Sequence, residues 1–230
     1  MTAGPRALLV AAAVLGYRPA SAQVFCEFGR HYLLAAPAVA SASTRQNVLV
    51  GATFSYSLDD RNQWALGADV TYPVSRAFGL AGGVAYCDPK LGLDPTPMFG
   101  VAVSWRSSVS ADNAWGVAIQ IGASYIAIDI SPLFPSSGKQ KEVTVPGLVA
   151  LEHHQGILRL WAGGLVQYSR SWTNVQTMRS AADPGAAVGV DVQLSTAVAA
   201  GAAYNFLWIE DAGGNTGVLD GLVLRLGYAL

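Results

Sequence analysis

From residue 47 to its end the chain alternates apolar and small or polar positions with a period of two. In 63–72, Trp64, Leu66, Ala68, Val70 and Tyr72 fall on one face, and Ala65, Gly67, Asp69 and Thr71 on the other. In 97–106, Phe99, Val101, Val103 and Trp105 oppose Gly100, Ala102, Ser104 and Arg106. The last stretch sets Leu222, Leu224, Leu226, Tyr228 and Leu230 against Gly221, Val223, Arg225, Gly227 and Ala229. Successive side chains of a strand point to opposite faces, so each stretch predicts a β-strand with one bulky apolar face. Ten strands are predicted: 47–57, 63–72, 77–87, 97–106, 114–128, 142–152, 156–168, 185–194, 196–208 and 217–230. Most have the length of a tilted strand that crosses a bilayer.

The pattern is inverted relative to a soluble sandwich, which turns its bulky face inward and a richly charged face to water. Here the second face is Gly, Ala, Ser and a few charges, too small and too weakly charged for a solvated surface. It reads as the lining of a narrow lumen, with the bulky face turned to lipid. The connections agree. Those after odd-numbered strands cover 58–62, 88–96, 129–141, 169–184 and 209–216; those after even-numbered strands cover 73–76, 107–113, 153–155 and 195. Long and short connections nearly alternate, as when one rim faces the exterior and the other the periplasm. An even number of antiparallel strands closes the sheet and removes both edges. Aromatic residues gather near strand ends, with Phe54, Tyr56, Trp64, Tyr86, Phe99, Tyr125, Tyr168, Tyr204, Phe206 and Trp208 toward the long-loop rim. Tyr72, Phe78, Trp105, Trp115 and Tyr228 fall toward the short-turn rim, giving two girdles.

Composition sharpens this picture. Charged residues are 13% of the chain and apolar residues 52%, yet no long uncharged block suits a membrane helix. The best candidate, 192–209, contains Gln193, Ser195, Thr196 and Asn205 and reads as two strands flanking a turn. At the N-terminus, Arg6 precedes the apolar run Ala7–Leu15, and Ala20-Ser21-Ala22 precedes Gln23. These are the parts of a secretory signal peptide over 1–22. Residues 23–46 then form an N-terminal segment, periplasmic or plugging the lumen, and 47–230 the barrel. Of fourteen Lys and Arg, Arg6 and Arg18 leave with the signal, so twelve face fifteen Asp and Glu, a net charge of −3. With no basic block, nucleic acid is not an expected partner.

With its signal peptide, its dyad strands and its closing stretch Val223-Leu224-Arg225-Leu226-Gly227-Tyr228-Ala229-Leu230, the chain resembles the small single-chain outer-membrane β-barrel proteins of Gram-negative bacteria. Their last strand commonly alternates apolar residues and ends in an aromatic; here Leu230 ends it, with Tyr228 two residues earlier. The resemblance implies an all-β, antiparallel up-and-down transmembrane barrel of about ten strands, eight or twelve being the alternatives. It also implies an outer-membrane location after export, contact with outer-membrane lipid, and recognition of the last strand by the barrel assembly machinery. It carries no activity and fixes no oligomeric state.

Candidate chemistry is sparse. His153 and His154 fall in the predicted turn before Gln155-Gly156, where Glu152 adds too little for a metal site. The predicted outer-rim loops hold Asp59, Asp60, Asp88, Asp94, Asp183, Glu210 and Asp211 without a His, so a lipid- or peptide-hydrolysing barrel lacks a base near neutral pH. Gly79-Leu80-Ala81-Gly82-Gly83 has no following Lys-Ser/Thr and no helix pattern, which argues against a phosphate loop. No cofactor is expected. Six charges share the predicted lumen face: Asp69, Arg106, Glu152, Arg159, Asp191 and Arg225. Charges in a narrow lumen need partners, so three acids and three bases predict a paired network, with Asp69, Asp191 and Arg225 at middle depth. Such a network could brace the barrel or gate a small pore for solutes. Cys26 and Cys87 are the only cysteines, and export permits a disulfide between them. Cys87 is placed near the outer rim while Cys26 starts on the periplasmic side, so they meet only if 23–46 enters the lumen or the strand count is wrong. The loop Ser131-Pro132-Leu133-Phe134-Pro135 and the one carrying Trp172 are candidates for contact with a partner or an envelope glycan. The leading function is a non-enzymatic barrel with a structural, surface-exposed or narrow-pore role; the alternatives are an outer-membrane enzyme and a soluble, secreted, ligand-binding β-sandwich.

Overall fold

The computed structural model describes residues 48–230 apart from 59–61, 76, 91, 111–113, 136–137, 175–176 and 211–215. The predicted signal peptide and the segment 23–46 lie outside the described residues. Ten strands follow in chain order: β1 (Leu49–Ser57), β2 (Trp64–Pro73), β3 (Phe78–Asp88), β4 (Thr96–Ser108), β5 (Trp115–Asp129), β6 (Lys139–Gln155), β7 (Leu158–Trp172), β8 (Thr177–Gln193), β9 (Val198–Glu210) and β10 (Thr216–Ala229). Each pairs antiparallel with its neighbours in sequence, and β1 pairs with β10, so the sheet is a closed up-and-down barrel.

Closure fixes the width of the interior. Hydrogen-bonded partners traced around the sheet from Ala52 reach β7 at Arg170 in one direction and at Leu158 in the other, twelve residues apart. For ten strands that stagger tilts the strands by about 40° and sets a backbone radius of about 10 Å.

Side chains divide as the alternation requires. Leu66, Val70, Val101, Ile121, Val149, Leu224 and Leu226 are all exposed on the outer surface, and Leu226 keeps 53% of its area accessible. Thr53, Ser55, Gln120, Thr144, Gln167 and Asn205 are buried on the inner one. The lining is more apolar in places than the sequence pattern suggests. Met98, Ile126, Ile128 and Ile130 form one inward cluster with Ala65, Ala85 and Cys87; Leu148, Trp161, Leu165, Leu207 and Val223 form another.

Strand boundaries depart from expectation on the long-loop side. The predicted loop 169–184 is mostly hairpin, because β7 runs to Trp172 and β8 begins at Thr177. The sequence Asp183-Pro184-Gly185 reads as a break, since proline cannot donate to a ladder. Pro184 pairs with Val166 of β7, while pairing with β9 starts one residue later at Gly185. Its missing N–H therefore falls where the ladder with β9 has already ended. Pro146 uses a gap in the same way: the β5–β6 partners run to Ile121↔Gly147 and resume at Ser124↔Thr144. Long and short connections consequently differ less than predicted. The first rim carries 58–63, 89–95, 130–138, 173–176 and 211–215, the second 74–77, 109–114, 156–157 and 194–197. The tightest turn, 156–157, uses Gly156 at φ +60°, a conformation side chains disfavour.

Candidate functional site

All six charges assigned to the lumen from the sequence point inward. Asp69, Glu152, Arg159, Asp191 and Arg225 are buried, and Arg106 is partly so. They form two groups. At middle depth, Nη2 of Arg225 donates to Oδ2 of Asp69 at 2.5 Å, and the Thr53 hydroxyl donates to Oδ1 of the same carboxylate at 3.4 Å. Gly51 makes this fit possible: a Cβ there would stand 2.5 Å from Asp69 Oδ1 and 3.0 Å from Arg225 Nη2.

The second group lies at the short-turn rim, where β4 and β6 end and β7 begins. Arg159 Nη2 stands 3.0 Å from Glu152 Oε1, and Arg106 Nη2 is 3.4 Å from the same oxygen. Arg159 Nε is 3.9 Å from Asp191 Oδ2, which also accepts a hydrogen bond of 3.1 Å from the Trp161 indole N–H. Asp191 thus contacts the inner-rim group, and the register row that holds it continues through Gly201 to Arg225. The reason is cross-strand register, which sets Arg159 directly opposite Asp191. Gly201 leaves the space this carboxylate occupies, since a Cβ there would overlap Asp191 Oδ1. The packing is loose: among the described residues, none of Arg106's three guanidinium nitrogens makes a hydrogen bond.

Three further lumen residues were missed from the sequence. Glu142 and Asp183 are buried on the inner face, as is Trp161. Each shares the parity of a residue that was assigned correctly, Glu142 with Glu152, Asp183 with Asp191 and Trp161 with Arg159, so the signal was present. Asp183 falls within the predicted outer-rim loop 169–184, which the structure resolves into the hairpin of β7 and β8. Among the residues whose side chains are described, the lumen face carries five acids and three arginines, where three of each are predicted.

The histidines also sit differently. His153 and His154 lie in β6, not in the turn, and so face opposite sides. The His153 ring centroid is 4.5 Å from that of Trp115, while His154 Nε2 approaches Glu152 Oε2 at 3.4 Å. Side chains on opposite faces of a sheet cannot converge on one ion. The loop of Ser131–Pro135 turns partly inward: the backbone N–H groups of Leu133 and Phe134 donate to the Ile130 carbonyl, and Phe134 packs on the apolar lumen cluster. Leu133 remains exposed, and Trp172 ends β7 half-buried.

Cys87 is the inward residue next to the end of β3, at the long-loop rim, and is fully buried and disulfide-bonded. Cys26 lies outside the described residues, as do His31, Asp59, Asp60 and Asp211.

No protein-family model and no curated protein sequence matches the chain. Among solved structures it is similar to neisserial surface protein A, at 11% identity over 80% of this chain and 96% of that one, with a TM-score of 0.41. It is similar to the translocator domain of the autotransporter NalP from Neisseria meningitidis, at 11% identity over 88% and 94% of the two chains, with a TM-score of 0.43. The N-terminal β-barrel domain of Pseudomonas aeruginosa OprF aligns at 10% identity over 80% and 98%, with a TM-score of 0.38.

Proposed function

We propose that the chain is a non-enzymatic barrel of the bacterial outer membrane whose lumen is a narrow pore for small polar solutes, constricted by the two charged groups. One observation supports this above the others: bulky apolar side chains are exposed on the strands of a closed sheet whose interior holds ion pairs. Lipid accommodates that exterior, whereas water would not. The interior carries polar side chains along much of its length, with Ser55, Gln167, Ser169 and Asn205 above the ion pairs. Export through the N-terminal signal and insertion through the last strand by the assembly machinery complete the reading.

The test is gel mobility of detergent-refolded protein, heated against unheated, followed by conductance in planar bilayers. A heat-dependent shift that needs detergent, with small and salt-dependent conductance steps, is the expected result. A monodisperse protein without detergent and without a shift would sink the membrane reading; a shift without conductance would leave a structural barrel and remove the pore.

A further inference from the structure

The cations on the outside of the barrel are gathered in one sector. Of the Lys and Arg side chains that are described, Arg106, Arg159 and Arg225 face the lumen, and Lys90 is bound to Asp88 at 2.7 Å in the loop after β3. The others, Lys139, Lys141 and Arg170, stand together near the long-loop end of β6 and β7. Lys139 and Lys141 share the outward parity of β6, and Lys141 pairs with Trp172 of β7. Arg170, two residues before Trp172, is outward and exposed. Same-face neighbours along a strand lie about 7 Å apart and diagonal neighbours across strands about 7–8 Å, so the three flexible side chains can meet on one anion. Asp129 faces Lys139 across the β5–β6 ladder, where its carboxylate accepts from the Ser131 backbone N–H at 2.9 Å. Among the described residues, no acid lies within ion-pair distance of Lys141 or Arg170.

This sector begins where the apolar band ends. On β5, Trp115 at the short-turn end and Tyr125 toward the long-loop end are both outward and exposed, ten residues apart. At a rise of about 3.3 Å per residue and a tilt of about 40°, they are separated by about 25 Å along the barrel axis, the height of a lipid-facing band. Val143 pairs with Tyr125 on one side and Arg170 on the other, and Lys141 pairs with Ala127, the next outward residue of β5. Tyr168 lies two residues below Arg170 on the same face, its hydroxyl 2.8 Å from that of Ser180. The cations therefore stand at the level of lipid headgroups, just above aromatic rings that prefer the same interface.

Position and charge together select an occupant. Like charges gathered on one face of a sheet repel, and an anion from the adjoining bilayer relieves that repulsion. Lys139, Lys141 and Arg170 less Asp129 leave an excess of two positive charges. A phosphodiester headgroup carries about one negative charge, whereas a phosphomonoester carries about 1.5 to 2 near neutral pH and offers three acceptor oxygens. The planar fork of Arg170 suits two of those oxygens and the Lys141 ammonium the third. We propose that the β6–β7 sector of the long-loop rim binds a phosphomonoester lipid, its phosphate held by Arg170 and Lys141 with Lys139 beside them. Its acyl chains lie below, on the outward side chains of Val143, Val145 and Val166. The site rests on the membrane reading of the barrel and not on the pore.

The experiment uses the full chain in a neutral detergent, first checked for the heat-dependent shift. Dioleoyl phosphatidic acid, phosphatidylglycerol and phosphatidylcholine are titrated separately, and bound lipid is measured by native mass spectrometry. Phosphatidic acid should bind tightest. A cation beside an anionic headgroup is worth a factor of about five, so Lys141→Gln combined with Arg170→Gln should weaken its binding by about twenty- to thirtyfold. Lys90→Gln, at the same rim in another sector, should leave binding unchanged. Should the double variant lose the heat shift, wild type alone gives the answer: phosphatidic acid should slow amine acetylation at Lys139 and Lys141 and not at Lys90. Equal binding of the three lipids, full affinity in the folded double variant, an equal loss in Lys90→Gln, or acetylation indifferent to the lipid would each overturn the site while leaving the membrane barrel standing. Phosphatidic acid and phosphatidylglycerol bound equally, both above phosphatidylcholine, would overturn the phosphomonoester assignment. Absence of the heat shift in wild type would be a failure of the membrane reading itself.

Discussion

The two charged groups in the lumen are built from the same residue types and behave differently. Asp69 and Arg225 are held at close range: a short hydrogen bond, a supporting hydroxyl from Thr53, and a glycine beneath whose replacement would press a Cβ against both side chains. At the short-turn rim, Arg106 and Arg159 share one oxygen of Glu152 at 3.4 and 3.0 Å, and Arg159 reaches Asp191 only at 3.9 Å. A pair with one geometry braces the wall. A group in which two cations share one anion has several arrangements of similar energy, and a passing ion can exchange with its members. The middle pair is therefore the strut, and in the proposed pore the inner-rim group would be the constriction.

Breaking the strut should give the largest effect. In Arg225→Met, Asp69 is left buried without its cation, and removing one partner of a buried pair costs about 3–5 kcal/mol. The heat-shift midpoint should fall well below that of wild type. The double variant Asp69→Asn with Arg225→Met should recover much of the loss, because no unpaired charge remains. Equal losses in the single and double variants would show that the pair is not the strut.

The glycine beneath the strut comes next. Gly51→Val places a branched Cβ where Asp69 Oδ1 and Arg225 Nη2 now sit, and overpacking of this kind costs about 1–3 kcal/mol. Denaturant unfolding in detergent is the measurement. An unchanged midpoint would mean that the pair can relocate, which the comparison with the inner rim denies.

Arg106→Gln should move stability least among the charge variants, since its guanidinium makes no hydrogen bond among the described residues. It should instead change selectivity. Losing an arginine from the inner-rim group leaves that group more negative, so in the proposed pore the reversal potential in a salt gradient should move toward cation preference. A drop in stability comparable to Arg225→Met, with selectivity unchanged, would reverse the roles of the two groups.

The barrel was readable from the sequence because one simple rule, alternation, acts on every strand and is enforced by closure. All six predicted lumen charges turn inward for that reason. What failed was local. Asp183 falls in a predicted loop, and the register that ends the β8–β9 ladder next to it is a property of three strands together. His153 and His154 were placed in a turn because Gly156 announces one; the turn is tighter than its composition suggests, so both residues fall in β6 and on opposite faces. Depth alone does not give the partners of Asp191, because distance along a tilted strand is not distance between side chains. The stagger of twelve residues around the sheet cannot be counted before the pairing is known.

Trp161 gives the finest test of the comparison. Its indole N–H donates to Asp191, and its ring fills the space that Gly189 leaves open. Trp161→Phe keeps an aromatic body and removes the donor. A single hydrogen bond to a buried charged group is worth about 1.5–3 kcal/mol where it is well formed. Here the same carboxylate keeps Arg159 at 3.9 Å and can close that distance once the indole is gone, so the net loss should be smaller, about 1 kcal/mol or less. If the inner-rim group is rearrangeable, the variant should unfold close to wild type while its conductance becomes noisier, as Arg159 divides its time between Glu152 and Asp191. A large loss of stability with quiet conductance would make the inner rim a second strut, held as rigidly as the first, and would leave the lumen without a movable constriction.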